Sequence, residues 1–233
     1  MVRVGACTHR GEYRRWSMVR VAPPALIKPR LRGVSHQYAF FLAAALGAGL
    51  VLLAEGARAR VGATVYATGA CGLFGISALY HRRSWSPAAA RWMRRADHSM
   101  IFCFIAASYT PFALLVLHGT LAIVLLAAVW GGALAGIVLK FVWLDAPDWL
   151  AALLYVLLGW SALAAGPALY GALGPLRIAL LALGGLLYTV GAVIYARQRP
   201  DWDPAVFGYH ELFHVLVIAA AAVHFTVIAG VVA

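Results

Sequence analysis

Tyr38–Ala54 reads Tyr-Ala-Phe-Phe-Leu-Ala-Ala-Ala-Leu-Gly-Ala-Gly-Leu-Val-Leu-Leu-Ala, with no charged side chain, and Ala151–Ala165 is equally uncharged. Runs of this kind belong to helices that cross ~30 Å of hydrocarbon. Backbone polar groups cannot stay unpaired in lipid, which leaves helices or closed barrels. The runs do not alternate between apolar and polar residues as barrel strands must. Composition agrees: of 233 residues, 64% are hydrophobic and 12% charged, against about 25% charged in a soluble domain.

Reading outward from these stretches predicts an all-α integral membrane protein, a seven-transmembrane helix bundle over 37–233 behind a basic N-terminal segment, 1–36. The predicted spans are 37–55, 62–81, 97–117, 120–140, 149–168, 174–195 and 209–231. Gly, Ala and Ser within them permit close helix contact in lipid. No internal repeat and no cleavable signal peptide are expected from the sequence, and Met18 is expected as an alternative start. Cys7, Cys71 and Cys103 form neither a disulfide framework nor a cysteine metal site.

The net charge of +11 could suggest a nucleic-acid partner, but its distribution favours a membrane explanation. Of the 19 Lys and Arg, 16 fall in the N-terminal segment or in the loops after spans two, four and six. Arg58, Arg60 and Arg177 fall on the other side. Basic residues collect in cytoplasmic loops, so the N-terminus is expected in the cytoplasm and the C-terminus outside.

Ionisable residues inside spans are costly and are functional candidates. On this topology span two ends at His81, span three begins at Asp97, and span seven begins with His210 and His214, all at one membrane level. His210 and His214 are four apart, so both imidazoles project from one helix face. That spacing suits two ligands of a tetrahedral ion, with zinc the commonest choice, and His81 supplies a third. Three protein ligands leave one position open, as in catalytic sites. Asp97 is placed to accept a proton from water or to orient it. Alternatively it is a charge favoured by its helix N-terminus, or the partner of Arg94 or Arg95. Ser77, one turn before His81, can support the site or a substrate oxygen, or simply pack between helices.

His98 reads as a supporting hydrogen-bond group and His224 as a deeper cavity residue. His9, His36 and His118 read as interface or surface residues. The stretch His210-Glu211-Leu212-Phe213-His214 also fits H-E-x-x-H, the metalloprotease pattern whose glutamate is the general base. Glu211 is therefore a second candidate base, and an intramembrane protease an alternative. Against it, nothing after Glu211 is acidic.

Several motifs together resemble the hemolysin III family, the bacterial branch of the progestin and adipoQ receptor group that includes the adiponectin receptors. They are Lys28-Pro-Arg-Leu-Arg-Gly33, Ser77-Ala-Leu-Tyr-His81, Ala96-Asp97-His98-Ser99, Ala107-Ser-Tyr-Thr-Pro-Phe112, His210-Glu-Leu-Phe-His214 and His224-Phe225. The resemblance implies seven helices and a zinc bound by His81, His210 and His214. It also implies Asp97 at the zinc water, with Ser77 close by. Such relatives are linked to hydrolysis of ceramide-like lipid amides, and some to cell lysis. The expectation is a zinc-dependent hydrolase of a lipid amide or ester in a bacterial plasma (inner) membrane, with a membrane lipid as substrate or ligand. A non-enzymatic, zinc-stabilised lipid sensor or receptor-like protein is the alternative. A lytic pore fits so apolar a resident chain poorly.

Overall fold

The computed structural model describes residues 28–232. Most of the basic N-terminal segment, including Cys7, His9 and Met18, lies outside the described residues. The described chain holds seven α-helices: α1 (Val34–Leu53), α2 (Gly56–Arg82), α3 (Pro87–Leu115), α4 (Gly119–Val142), α5 (Asp148–Gly159), α6 (Gly166–Arg197) and α7 (Tyr209–Val232). A 3-10 turn, Trp160–Ala165, joins α5 to α6.

Six helical stretches are long and apolar enough to cross a bilayer, with mean hydropathies from 1.3 to 2.5. One of them, Asp148–Arg197, is 50 residues long. At ~1.5 Å per residue it would extend about 75 Å if straight, and it is not straight. Gly174 takes φ 75° and ψ 172°, outside the helical region, and Pro175 follows it. The chain folds back there: the Tyr195 hydroxyl donates to Asp148 Oδ1 at 3.3 Å and Gln198 Nε2 donates to Oδ2 at 3.2 Å. The start of α5 and the end of α6 therefore meet, and the break lies at the first residue of the predicted 174–195 span.

The 3-10 turn inside the predicted 149–168 span was not anticipated. Its free backbone groups are satisfied by Tyr109 of α3. The Tyr109 hydroxyl donates to the Gly159 and Leu158 carbonyls and accepts the Ala162 N–H at 2.9 Å. In lipid such groups need a partner within the protein. Helix α3 also begins ten residues earlier than the predicted 97. Ser86 caps it by accepting the Ala89 N–H at 3.3 Å, and Pro87 occupies the first turn, where its missing N–H costs nothing. The added turns carry Arg91, Arg94 and Arg95, too basic to be read as part of a span.

The helices close into a ring. α2 packs against α1 and α3, α3 against α4, and α6 against α7, which returns to α1, α2 and α3. Small residues set the closest approaches: a Cβ on Gly69 would stand 2.6 Å from the Ala107 Cβ. Large apolar side chains such as Leu52 and Val142 point outward, each 82% exposed, as a lipid-facing surface requires. At one end a short strap precedes α1. Arg30 N–H donates to the Ala205 carbonyl at 2.9 Å and Leu31 N–H to Val206 at 3.2 Å. Gly33 then turns with φ 78°, and a Cβ there would come within 2.6 Å of the His81 Cβ. The strap fixes the start of α1 beside the ends of α2 and α7.

Candidate metal centre

His81 sits in the last turn of α2, and His210 and His214 in the first two turns of α7. One ring nitrogen from each lies within 4.8 Å of the other two. His81 and His210 face one another through Nε2 atoms 3.3 Å apart. Two nitrogens bound at ~2.0–2.1 Å to one tetrahedral ion stand about 3.3 Å apart, so the spacing, which is also that of an N–H···N hydrogen bond, is one that two ligands of a common ion would have. His214 is 2% exposed, and its Nδ1 has no hydrogen-bond partner among the described residues. The chemistry of the donor set, three imidazoles beside a carboxylate, is that of a zinc site. The residues fit the ion.

Asp97, buried on α3, places Oδ2 3.7 Å from His81 Nε2. Ser77 on α2 is buried too and lines the same cavity as Asp97. The five side chains that the sequence brings together thus meet, contributed by α2, α3 and α7. A cavity of about 120 Å³ opens from them, lined at this end by Ser77, Asp97, His210 and His214. It continues between helices past Ile101, Phe104 and Val217 to Tyr188 and His224. The cavity thus has a polar head and an apolar body.

Glu211 lies apart from this cluster. One carboxylate oxygen accepts from Arg32 Nε and the other from the Gly208 N–H at 2.9 Å. It is not among the residues lining the cavity. Neighbours on a helix point about 100° apart, so the residue following His210 faces the strap. Lys28 extends the same basic edge. Partial burial, then Arg32 and Arg82, hold its ammonium below the usual lysine pKa.

His98 lines the cavity, with Nδ1 unpartnered among the described residues. His224 also lines it, its Nε2 3.0 Å from the Leu181 carbonyl. His118 is exposed just before α4. His36, expected at a surface or interface, is instead 3% exposed. Its ring lies nearly parallel on His214, at a centroid distance of 3.8 Å and an angle of 12°. The available signal was position: His36 starts span one at the membrane level where span seven carries His210 and His214.

Comparison with known proteins matches residues 25–225 to the family described as Haemolysin-III related. The Bacillus cereus protein named Hemolysin-3 is 34% identical over 169 residues, covering 72% of this chain and 74% of its own length. A Bacillus subtilis Hemolysin-3 homolog is 39% identical over 129 residues, covering 55% of this chain and 58% of its own. The human monocyte to macrophage differentiation factor is 28% identical over 196 residues, covering 82% and 79%. With its apolar helices, the chain is a multi-pass membrane protein, and a bacterial plasma membrane fits its Bacillus relatives. From a match that spans most of its length, this chain belongs to the Haemolysin-III related family.

Proposed function

We propose that this chain is a membrane-embedded, zinc-dependent hydrolase of a lipid amide or ester, ceramidase-like in its chemistry. The observation that carries the reading is the 3.3 Å separation of the His81 and His210 Nε2 atoms, at the head of a cavity whose body is apolar. His81, His210 and His214 hold the ion. When bound, zinc supplies a Lewis acid and lowers the pKa of water. Asp97 is the base: its carboxylate takes the proton of the attacking water and returns it to the leaving group. Ser77 keeps that carboxylate aimed at the cluster. Ile101, Phe104 and Val217 hold the acyl chain and exclude bulk water, and the lipid enters sideways between helices. Glu211 ties α7 to the strap through Arg32, and we assign it no proton transfer.

The same reading takes the bundle as seven transmembrane helices with the N-terminus cytoplasmic and the metal centre near the cytoplasmic side. The fold-back at Gly174 supports counting Asp148–Arg197 as two crossings, and the 16-to-3 split of basic residues supports the orientation. Reporter fusions in the loops test both.

The deciding experiment is metal analysis of the detergent-purified protein against a His210→Ala/His214→Ala double variant, followed by a ceramide hydrolysis screen. About one zinc per chain, lost in the variant and accompanied by turnover only in the wild type, supports the proposal. Absence of metal after a zinc-replete preparation defeats it. A second reading is favoured by one observation, that the ligands tie the end of α2 to the start of α7. In it zinc is a staple in a non-enzymatic lipid-sensing or receptor-like protein. Zinc removal would then lower thermal stability, and no lipid would be turned over.

A further inference from the structure

At the end of the bundle that carries the histidine cluster, the first turns of α3 pack beside the last turn of α4, outside the cavity. Trp92 meets Phe141 across that seam, with ring centroids 5.9 Å apart and an interplanar angle of 63°. Both rings are uncovered, Trp92 61% and Phe141 46% exposed, and Trp143 at the close of α4 is 49% exposed. Large aromatic rings left open at the end of a span belong to the boundary between hydrocarbon and headgroups. Arg95 lies over the same Trp92 ring, its Cζ 5.2 Å from the centroid. Arg91, one turn earlier on that face of α3, is exposed. Positive charge at this end is expected for orientation alone, but orientation sets no requirement on how the cations are arranged. Here they are sorted. Arg94 donates to Asp145 Oδ1 at 2.8 Å, whereas Arg91 and Arg95 enter no ion pair among the described residues. Lys140, the residue before Phe141, likewise enters none among them. The seam therefore joins an excess of cations to an uncovered aromatic shelf.

We propose that the α3–α4 seam binds the headgroup phosphate of an anionic phospholipid through Arg91 and Arg95, with Trp92, Phe141 and Trp143 against the adjoining acyl chains. Charge and surroundings select this occupant. A guanidinium bonds phosphate through its N–H edge while its flat face stacks on an aromatic ring, and Trp92 holds the flat face of Arg95. Clustered cations just outside a span recognise anionic headgroups. The bilayer brings phosphate and hydrocarbon together at this level, whereas a soluble phosphate would leave the aromatic rings uncovered. The site is separate from the metal centre and does not rest on the hydrolase reading.

The test places the full chain in nanodiscs made of equal parts phosphatidylglycerol and phosphatidylcholine, and native mass spectrometry counts the lipids that stay bound on release. Wild type is compared with Arg91→Gln/Arg95→Gln, with Arg82→Gln/Arg83→Gln and with Trp92→Leu. The Arg82/Arg83 pair removes the same charge from the same end of the bundle but away from the seam. The expected result is that wild type retains phosphatidylglycerol in preference to phosphatidylcholine. That retention weakens about 30-fold in Arg91→Gln/Arg95→Gln, stays at the wild-type level in Arg82→Gln/Arg83→Gln, and falls several-fold in Trp92→Leu. No preference in wild type overturns the proposal, as does wild-type retention in Arg91→Gln/Arg95→Gln. Equal loss in the two arginine pairs also overturns it, because the attraction is then diffuse charge with no seat at the seam. If Arg91→Gln/Arg95→Gln yields no folded protein, Trp92→Leu decides: weaker phosphatidylglycerol retention supports the site, and unchanged retention overturns it. Inorganic phosphate added as a competitor should leave the lipid in place, and its displacing the lipid would make the seam a free-anion site and defeat the proposal.

Discussion

Two polar regions of the otherwise apolar interior, the 3-10 turn and the histidine cluster, are built on opposite rules. Around the 3-10 turn every polar group named has a partner. Tyr109 serves Leu158, Gly159 and Ala162, while Trp160 Nε1 donates to Thr189 Oγ1 at 2.9 Å, and Thr189 Oγ1 donates to the Gly185 carbonyl at 2.7 Å. Around the histidine cluster, His36, His98 and His214 keep buried ring nitrogens without partners among the described residues. A region that only maintains the fold in lipid satisfies its hydrogen bonds internally. A region that must receive an ion or a ligand leaves them open and bears the cost until they are filled. Unpaired imidazole nitrogens, more than polarity itself, mark the histidine cluster.

The contrast breaks most easily at Asp97. Asp97→Asn should lower ceramide hydrolysis by about 10²–10⁴-fold while zinc content stays at the wild-type level. Intact turnover with an unchanged pH profile would remove Asp97 as the base. Tyr109→Phe should do the reverse: melting curves should report a loss of about 1–3 kcal/mol from the unpaired turn, with full zinc content. If zinc were lost instead, the two regions would not be separable. Gly33→Ala couples the strap to the cluster, because a left-handed conformation costs a side-chain-bearing residue about 1–2 kcal/mol and the new Cβ presses on His81. Weaker retention of zinc against a chelator is the expected reading. Smallest of all, His118→Ala should change stability by less than about 0.5 kcal/mol and leave zinc and turnover alone.

Much of this was legible in the sequence, for reasons that also mark the limits. Uncharged stretches gave helix positions because hydrocarbon admits little else, and the break at Gly174-Pro175 falls at the start of the predicted 174–195 span. The start of α3 was misplaced because Arg91, Arg94 and Arg95 conceal a helix whose cap, Ser86-Pro87, lies outside the apolar run. No residue of Trp160–Ala165 signals a 3-10 turn. That turn depends on a hydroxyl some fifty residues earlier, 53 for the bond from Ala162. His81, His210 and His214 could be brought together because a four-residue spacing and the charge asymmetry fix a face and a level. His36 has no such spacing partner, and only packing reveals it. Glu211 satisfies a short catalytic pattern, and its surroundings are set by Arg32, 179 positions away.

That long separation has a consequence for biosynthesis. Helices leave the ribosome in chain order, and the pieces of the metal centre are divided between the earliest and the last described helices. While α4 to α6 are being inserted, His36, His81 and Asp97 are already in the membrane without their counterparts. The strap has neither Ala205 nor Glu211 to hold. Only when α7 arrives do His210 and His214 join His81 and Arg32 find its carboxylate, so ring closure is the final event of assembly and, on the zinc proposal, ion capture with it. A chain stalled before α7 would expose a half-built polar pocket to lipid, a form that membrane quality control could recognise and remove.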